Sequence, residues 1–150
     1  MGTTFHIYFP SVTAQIKEER PAMVEIEKGK ETILVAEDDK VVRDLVKAVL
    51  EQHGYTVVEA VDGKDALEKF DEHKNIDLLI LDSVMPVRNG REVYDAVSKI
   101  NPSIKVIFTS GYTKDFILDK GIEDKRFDFL SKPLTPGDML RKIREVLDRQ

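Results

Sequence analysis

The chain has 150 residues, 41% of them hydrophobic, which is enough for one full-sized core and an appendage but too short for two complete domains. A net charge of -5 disfavours a nucleic-acid partner or direct contact with anionic membranes, because no basic stripe is present to neutralise phosphates. Cysteine is absent, which excludes disulfides and thiolate metal sites, and no apolar run reaches membrane-spanning length, so we expect a cytoplasmic location.

Short apolar runs alternate with amphipathic stretches from residue 32 onward, a pattern typical of repeated βα units. The predicted strands are residues 32–36, 56–60, 78–81, 105–109 and 127–130. The predicted helices are residues 40–53, 64–73, 90–100, 113–120 and 136–147. Each strand is apolar enough to be covered on both faces. The pattern therefore predicts an α/β fold with a five-stranded parallel sheet and helices on both faces.

The N-terminal stretch differs from the rest of the chain. Residues 3–12 alternate like a strand, whereas residues 17–30 are charged and contain Pro21 and Gly29. We therefore divide the chain into an N-terminal fragment (1–12), a linker (13–30) and a main domain (31–150).

Acidic side chains end two of the predicted strands. Glu37, Asp38 and Asp39 follow the first strand, and Asp82 follows four apolar residues of the third. Groups at the carboxyl ends of parallel strands converge on one crevice, so these carboxylates are expected to meet and to bind Mg²⁺, with phosphate as a further partner. Taken alone, the acidic triplet is better interpreted as a solvated turn in which Asp39 caps the next helix, and it is Asp82 and Lys132 that favour the metal site.

The sequence resembles the receiver domain of two-component response regulators over residues 31–150. Four segments carry the resemblance, in order and at the expected spacing: Ile33-Leu34-Val35-Ala36-Glu37-Asp38-Asp39, Asp82-Ser83-Val84-Met85-Pro86 with Asn89-Gly90, Thr109-Ser110-Gly111-Tyr112, and Lys132-Pro133. The family fold is a doubly wound, flavodoxin-like parallel sheet of strand order 2-1-3-4-5. The resemblance implies that fold here.

The resemblance also implies a phosphoacceptor and a metal site. Asp82 occupies the position of the aspartate that takes a phosphoryl group from phosphohistidine. Glu37 and Asp38 match the acid pair that binds Mg²⁺ together with Asp82, and the backbone carbonyl of Val84 is implied as a further ligand.

Three other positions match residues that respond to the phosphoryl group. Lys132 matches the lysine that contacts a phosphoryl oxygen, and the resemblance implies that a cis peptide bond to Pro133 holds this lysine in place. Ser110 matches the hydroxyl that hydrogen-bonds the group after transfer. Phe129 matches the aromatic switch position, although simple core packing is an equally open interpretation of this residue.

Two residues depart from the commonest family pattern. Glu37 stands where Asp is usual, which leaves the metal affinity open, and the apolar Val84 stands two residues beyond Asp82. We hypothesise that Val84 and Tyr112 orient an attacking water poorly, so that the phosphorylated form is long-lived. Faster hydrolysis in Val84→Asn would support this hypothesis.

Residues 2–10 resemble the end of the ATP-binding domain of sensor histidine kinases, which carries a Gly-Thr-x-Phe element before a final strand. This indicates the C-terminal receiver of a hybrid sensor histidine kinase whose parent is attached to the membrane or free in the cytoplasm. An unrelated leader on a free-standing single-domain response regulator is the alternative. No kinase activity is expected of the fragment itself. The expected partner is the phosphohistidine of a kinase or phosphotransfer domain, and a homodimer stays open because strand 3–12 would have unpaired edges.

Three other functions share the fold or the aspartate chemistry. A flavin binder of the same fold needs hydroxyl and amide groups after the first strand, where Glu37, Asp38 and Asp39 would repel the phosphate. A haloacid-dehalogenase-type phosphatase needs a second aspartate at position 84, where Val84 stands. A phosphorylation-independent interaction module with the same fold is the remaining alternative.

Overall fold

The computed structural model describes residues 1–6, 8, 28–111 and 127–149. Their strands are β1 (Thr32–Ala36), β2 (Thr56–Ala60), β3 (Leu78–Asp82), β4 (Lys105–Ser110) and β5 (Asp128–Ser131). Their helices are α1 (Lys40–Gln52), α2 (Gly63–Glu72), α3 (Gly90–Ile100) and α4 (Pro136–Asp148). Tyr112, the helix predicted at residues 113–120 and positions 7 and 9–12 of the predicted N-terminal strand lie outside the described residues.

The five strands form one sheet in the order β2-β1-β3-β4-β5, and every neighbouring pair is parallel. The predicted doubly wound α/β fold is therefore confirmed. Four strand boundaries differ from the prediction. The strands β3 and β4 extend by one residue to Asp82 and Ser110. The strand β5 is shifted by one residue at both ends, to Asp128 and Ser131, because its ladder with β4 pairs Ile107 with Asp128 and Ser110 with Ser131.

Helices cover both faces of the sheet. On one face, α2 and α3 pack against the strands through a core that includes Ala66, Val93 and Val97. On the other face, α1 and α4 supply the second core, which includes Leu50 and Ile143. Alternate residues of each strand point to opposite faces, so nearly continuous apolar strands fill both cores.

Polar caps explain where the helices begin. Side chains of Asp39, Asp62 and Thr135 accept hydrogen bonds from the first backbone N–H groups of α1, α2 and α4. Asn89 and Glu92 form a capping box at the start of α3. These caps satisfy donors that have no partner within the helix, and they set the points at which the chain leaves the carboxyl ends of the strands.

Two helices bury less than their sequences suggested. The helical spacing of α1 predicts an apolar side made of Val41, Val42, Leu45, Val46, Val49 and Leu50, but Val41 and Leu45 are 77% and 53% exposed. Ile100, at the end of α3, is also exposed. A helix lying on a sheet buries only one stripe, and the six apolar residues predicted for α1 span a wider arc than that stripe.

The described part of the N-terminal fragment, residues 1–6 and 8, is exposed and has no regular secondary structure. The strand predicted for residues 3–12 is therefore not formed at these positions. A strand needs a neighbouring strand to satisfy its backbone groups, and the sheet order leaves β2 and β5 as edges with no further partner among the described strands. No helix in the described ranges is long and apolar enough to cross a membrane.

Gly29 and Glu31 contact the main domain just before β1. The backbone N–H of Gly29 donates to the carbonyl of His53 over 2.9 Å, and a Cβ at Gly29 would clash with the ring of Tyr55. Arg144 of α4 donates to Glu31 over 2.8 Å and lies over the ring of Tyr55. These contacts hold the start of β1 against the C-terminal helix.

Candidate functional site

The register of the sheet brings the predicted site residues to one edge. Ala36, the last residue of β1, pairs with Leu81 of β3, so Glu37 and Asp82 leave adjacent strands side by side. Further along the edge, Ser110 ends β4 beside Ser131 of β5. This edge lies at the topological switch point of the sheet, the place where α/β proteins of this kind bind ligands.

Three carboxylates lie together at this edge. Ligand oxygens of Glu37, Asp38 and Asp82 are all within 4.8 Å of one another. Glu37 and Asp82 are only 4% and 6% exposed, whereas Asp38 is open to solvent. Carboxylate oxygens are the ligands that Mg²⁺ prefers, and one exposed side leaves room for water or phosphate oxygens, so this set of residues fits a hard divalent cation.

Lys132, the residue that follows β5, contacts the two buried acids. Its Nζ lies 2.7 Å from Oε2 of Glu37 and 2.9 Å from Oδ2 of Asp82. Burial alone would lower the pKa of Lys132, but these two hydrogen bonds outweigh it and raise the pKa above the ordinary 10.5. Three carboxylates that share one ammonium leave an excess of negative charge among these side chains, which a divalent cation would reduce.

The pKa of Glu37 reflects this excess of negative charge. Burial raises its pKa above the ordinary 4.5, and the nearby charge of Asp82 raises it further, although Lys132 acts in the opposite direction. The ionised form of a buried carboxylate next to another carboxylate is stabilised when a cation binds, because the cation offsets both the repulsion and part of the desolvation cost.

The acidic triplet divides between two tasks. Asp39 accepts hydrogen bonds from the backbone N–H groups of Val41 and Val42 over 2.8 and 3.2 Å, so it caps α1. Glu37 and Asp38 instead face Asp82. The capping interpretation is therefore correct for the third acid, and the metal-ligand geometry concerns the first two.

Arg43 of α1 also belongs to this region, and sequence analysis missed it. Its side chain is buried, and Nη1 donates to the carbonyl oxygen of Glu37 over 2.6 Å. One signal was available in the sequence. Arg43 shares the helical spacing i, i+3, i+7 with Val46 and Leu50, which places a charged residue on the buried stripe of α1.

The segment after Asp82 is closely packed. The carboxylate of Asp82 accepts a hydrogen bond from the backbone N–H of Val84 over 3.3 Å. A Cβ at Gly90 would clash with the carbonyl oxygen of Asp82, so the absence of a side chain at this glycine allows the start of α3 to approach the end of β3. Between them, Val87 has a φ of 67°, and Arg88 N–H donates to the carbonyl of Pro86 over 2.7 Å. These two features define a strained γ-turn at the mouth of the site.

The remaining predicted residues occupy the β4–β5 side of the edge. Ser110 is buried, and its carbonyl accepts from the backbone N–H of Lys132 over 2.8 Å. The Lys132–Pro133 peptide bond is cis. Phe129 is partly buried and stacks on Phe108 with their ring centroids 5.7 Å apart. It therefore packs in the core on the face that α2 and α3 cover.

Comparison with known proteins agrees with this architecture. The model of the response regulator receiver domain family matches residues 33–144. The sensor kinase CckA of Brucella abortus is 33% identical over an alignment that covers 99% of this chain and 17% of that protein. The transcriptional regulatory protein CpxR of Escherichia coli is 35% identical, over 78% of this chain and 49% of CpxR. The chain thus spans less than half of either relative.

Solved structures share the fold. The receiver domain of the hybrid histidine kinase CckA superposes with a TM-score of 0.66 at 31% identity, covering 77% of this chain and 98% of that one. A CheY-like receiver from Methanospirillum hungatei gives a TM-score of 0.68 at 31% identity, covering 80% and 95%. On the evidence of the family match, the sheet order and these relatives, the chain belongs to the response regulator receiver domain family.

Proposed function

We propose that this receiver accepts a phosphoryl group on Asp82 from a phosphohistidine donor in a Mg²⁺-dependent reaction. The observation that carries the proposal is the position of Asp82, which ends a buried strand within 4.8 Å of two further carboxylates and 2.9 Å from the ammonium of Lys132. A nucleophile needs an ionised carboxylate, and phosphoryl transfer between two anions needs nearby positive charge.

The reaction follows from these groups. An oxygen of the Asp82 carboxylate attacks phosphorus, and the phosphorus–nitrogen bond of the donor histidine breaks. The electron pair goes to the imidazole nitrogen, which takes up a proton. Lys132 exchanges part of its contact with Asp82 for a phosphoryl oxygen, while its contact with Glu37 holds the ammonium at the site.

Glu37, Asp38 and Asp82 are the side chains that would hold Mg²⁺, with the carbonyl of Val84 as a further proposed ligand. When bound, the ion supplies the positive charge that the excess of carboxylates calls for. The pKa of Glu37, raised by burial and by Asp82, supports this assignment, since the acid is poorly neutralised by Lys132 alone.

After transfer, Ser110 would donate a hydrogen bond to the phosphoryl group, and Phe129 would change its packing on Phe108. The burial of Ser110 at the end of β4 and the partial burial of Phe129 on the next strand support the pairing of these two roles. The output surface would then lie at β4 and β5.

We also propose that the chain is the receiver portion of a hybrid sensor histidine kinase. The alignment with the sensor kinase CckA covers 99% of this chain and so includes nearly all of residues 1–30, whereas the alignment with CpxR covers 78%. This difference supports the proposed division into a kinase-derived fragment (1–12), a linker (13–30) and a receiver (31–150). The receiver would then lie in the cytoplasm, with the parent kinase either free there or attached to the membrane.

An exposed apolar surface near Asp82 supports the proposal that the phosphohistidine donor is a helical protein domain. Val41 and Leu45 lie one turn apart on α1, and Val61, Val84 and Val87 follow the carboxyl ends of β2 and β3. These five residues, which we call the apolar rim, therefore surround the edge that holds Asp82. Apolar residues grouped in this way are typical of interaction sites.

Intact-mass measurement after incubation with acetyl phosphate tests the proposal. The wild-type protein is expected to gain the mass of one phosphoryl group in Mg²⁺ but none in EDTA, and Asp82→Asn is expected to gain none. Asp95→Asn, which removes an exposed carboxylate on α3, is the matched control and should be labelled like wild type.

Labelling of Asp82→Asn would show that another residue is the acceptor. Failure of the wild-type protein to be labelled, under conditions that label a known receiver, would favour the phosphorylation-independent interaction module.

A further inference from the structure

We infer that Arg43 is a positioning residue for the metal site, an inference that rests on the proposed Mg²⁺-dependent function. The side chain is 8% exposed although it carries a permanent charge. Its Nη1 lies 2.6 Å from the carbonyl oxygen of Glu37 and 3.4 Å from that of Asp38. The guanidinium therefore contacts the backbone of both residues whose carboxylates would bind the ion.

These contacts act on the direction of the two carboxylates. Glu37 and Asp38 lie in the short turn between β1 and α1, where only three residues separate the strand from the helix. A guanidinium is planar and rigid, so its hydrogen bonds fix the orientation of the peptide groups that it contacts. Groups that orient metal ligands in this way commonly affect metal affinity although they do not touch the metal.

The guanidinium is itself held from two sides. Its stem follows the buried stripe of α1 that contains Val46 and Leu50. On the side of β2, Nε of Arg43 lies 3.9 Å from Oε1 of Glu59, and Glu59 accepts a hydrogen bond from Lys47 over 2.5 Å. Arg43 thus connects the acidic turn to both α1 and β2. The conformation of its side chain is restricted by these contacts.

The charge of Arg43 and its orienting role would change Mg²⁺ affinity in opposite directions. A permanent cation near the acidic cluster repels Mg²⁺, so removal of Arg43 would tighten Mg²⁺ binding if repulsion dominated. If the side chain orients the ligands, its removal weakens Mg²⁺ binding. The two effects differ in sign, which makes the role of Arg43 measurable.

The test compares Mg²⁺ dissociation constants, obtained by titrating Mg²⁺ into ¹⁵N-labelled folded protein and following backbone amide signals by NMR. The variants are Arg43→Met, which removes all donors and the charge, and Arg43→Lys, which keeps the charge but not the planar fork. Lys47→Met is the matched control, since Lys47 carries the same charge on the same helix and shares Glu59, while its described hydrogen bond goes to Glu59 alone. Urea unfolding in EDTA reports the stability of each protein separately.

Mg²⁺ binding is expected to be about tenfold weaker or more in Arg43→Met, weakened to a smaller extent in Arg43→Lys, and close to wild type in Lys47→Met. An unchanged or tighter dissociation constant in Arg43→Met would overturn the inference, even if the variant were less stable. Should Arg43→Met fail to fold, Arg43→Lys decides, and an unchanged constant there overturns it too. If wild-type protein did not bind Mg²⁺ at all, the proposed function itself would fail, and this inference with it.

Discussion

Lys132 is the residue whose charge keeps two buried carboxylates compatible with the fold. Its ammonium lies within 2.9 Å of both Glu37 and Asp82, and the raised pKa reflects that both acids favour its charged form. The lysine is still partly open to solvent. It can therefore exchange one of its partners for an arriving anion without first being uncovered.

Lys132→Met should destabilise the metal-free protein by about 3 kcal/mol, because it leaves two buried acids without their counter-ion. Mg²⁺ should reduce this loss, since the ion binds the folded state and supplies the missing charge. Urea unfolding in EDTA and in Mg²⁺ measures both effects. Lys142→Met, which removes a lysine paired with Glu145 on α4, is the control and should cost less than 1 kcal/mol. Equal losses in the two variants would contradict the prediction.

Val87 is a second residue with a local energetic consequence. It is β-branched, 73% exposed and held at a φ of 67°, a conformation that costs roughly 1–2 kcal/mol for an L-residue. Val87→Gly should therefore stabilise the protein by roughly 0.5–1 kcal/mol, after allowance for the greater freedom of glycine in the unfolded chain.

Val84→Gly is the matched control for Val87→Gly, because Val84 is an exposed valine in the same segment but has no positive φ. It should lower stability. The free energies of unfolding in EDTA decide, and a loss of stability in Val87→Gly would show that the turn is not strained.

At the scale of elements, one face of α1 packs on the sheet and the other is exposed to solvent. Its buried stripe contains Arg43, Val46 and Leu50, which face the sheet. Its outer face exposes Val41 and Leu45 beside the acidic edge. The helix begins at the cap provided by Asp39, so the position of both faces is fixed directly by the turn that carries the candidate metal ligands.

Leu45→Asp should slow phosphoryl transfer from a phosphorylated histidine phosphotransfer domain by about tenfold, because it removes one apolar contact from the apolar rim. Labelling by acetyl phosphate should not change, since Leu45 does not touch the site. Ile100→Asp is the control, an exposed apolar residue at the end of α3 that lies away from the acidic edge. Slower labelling by acetyl phosphate in Leu45→Asp would indicate damage to the site instead.

At the scale of the whole molecule, the start of the domain is tied to its last helix. Arg144 of α4 donates to both carboxylate oxygens of Glu31. Burial alone would raise the pKa of Glu31, but the hydrogen bonds from Arg144 and from backbone N–H groups outweigh it and lower the pKa below the ordinary 4.5. The contact therefore links residues far apart in the sequence through a carboxylate whose pKa is lowered by folding.

The sign of the pH effect follows from that lowered pKa. Ionised Glu31 stabilises the fold above pH 4.5, and the contribution is lost as pH falls through the lower pKa of the folded state. The stability difference between wild type and Glu31→Gln should therefore shrink between pH 6 and pH 3. In an Arg144→Met background the same substitution should show little pH dependence. A difference that grows in acid would contradict the assignment.

The sequence by itself determined the fold and the identity of most candidate site residues. Apolar runs of strand length alternate with helical periodicity, and the acids stand at the ends of runs, where the pattern changes. These are local properties, so Asp82 and Glu37 could be named before any contact was known, whereas Lys132 was named from the resemblance to the receiver family. The strand boundaries were less certain because they depend on pairing, as the one-residue shift of β5 illustrates.

Only the tertiary structure decided which residues meet and at what cost. It divided the acidic triplet between a helix cap and the cation cluster, and it brought Lys132 to both buried acids. It also placed Arg43 against the backbone of the acidic turn, and it left Leu45 exposed although the helical pattern put that residue on the apolar side of α1. The physical reason is that periodicity gives the spacing of residues around a helix, whereas the rotation of that helix on the sheet is set by packing against other strands.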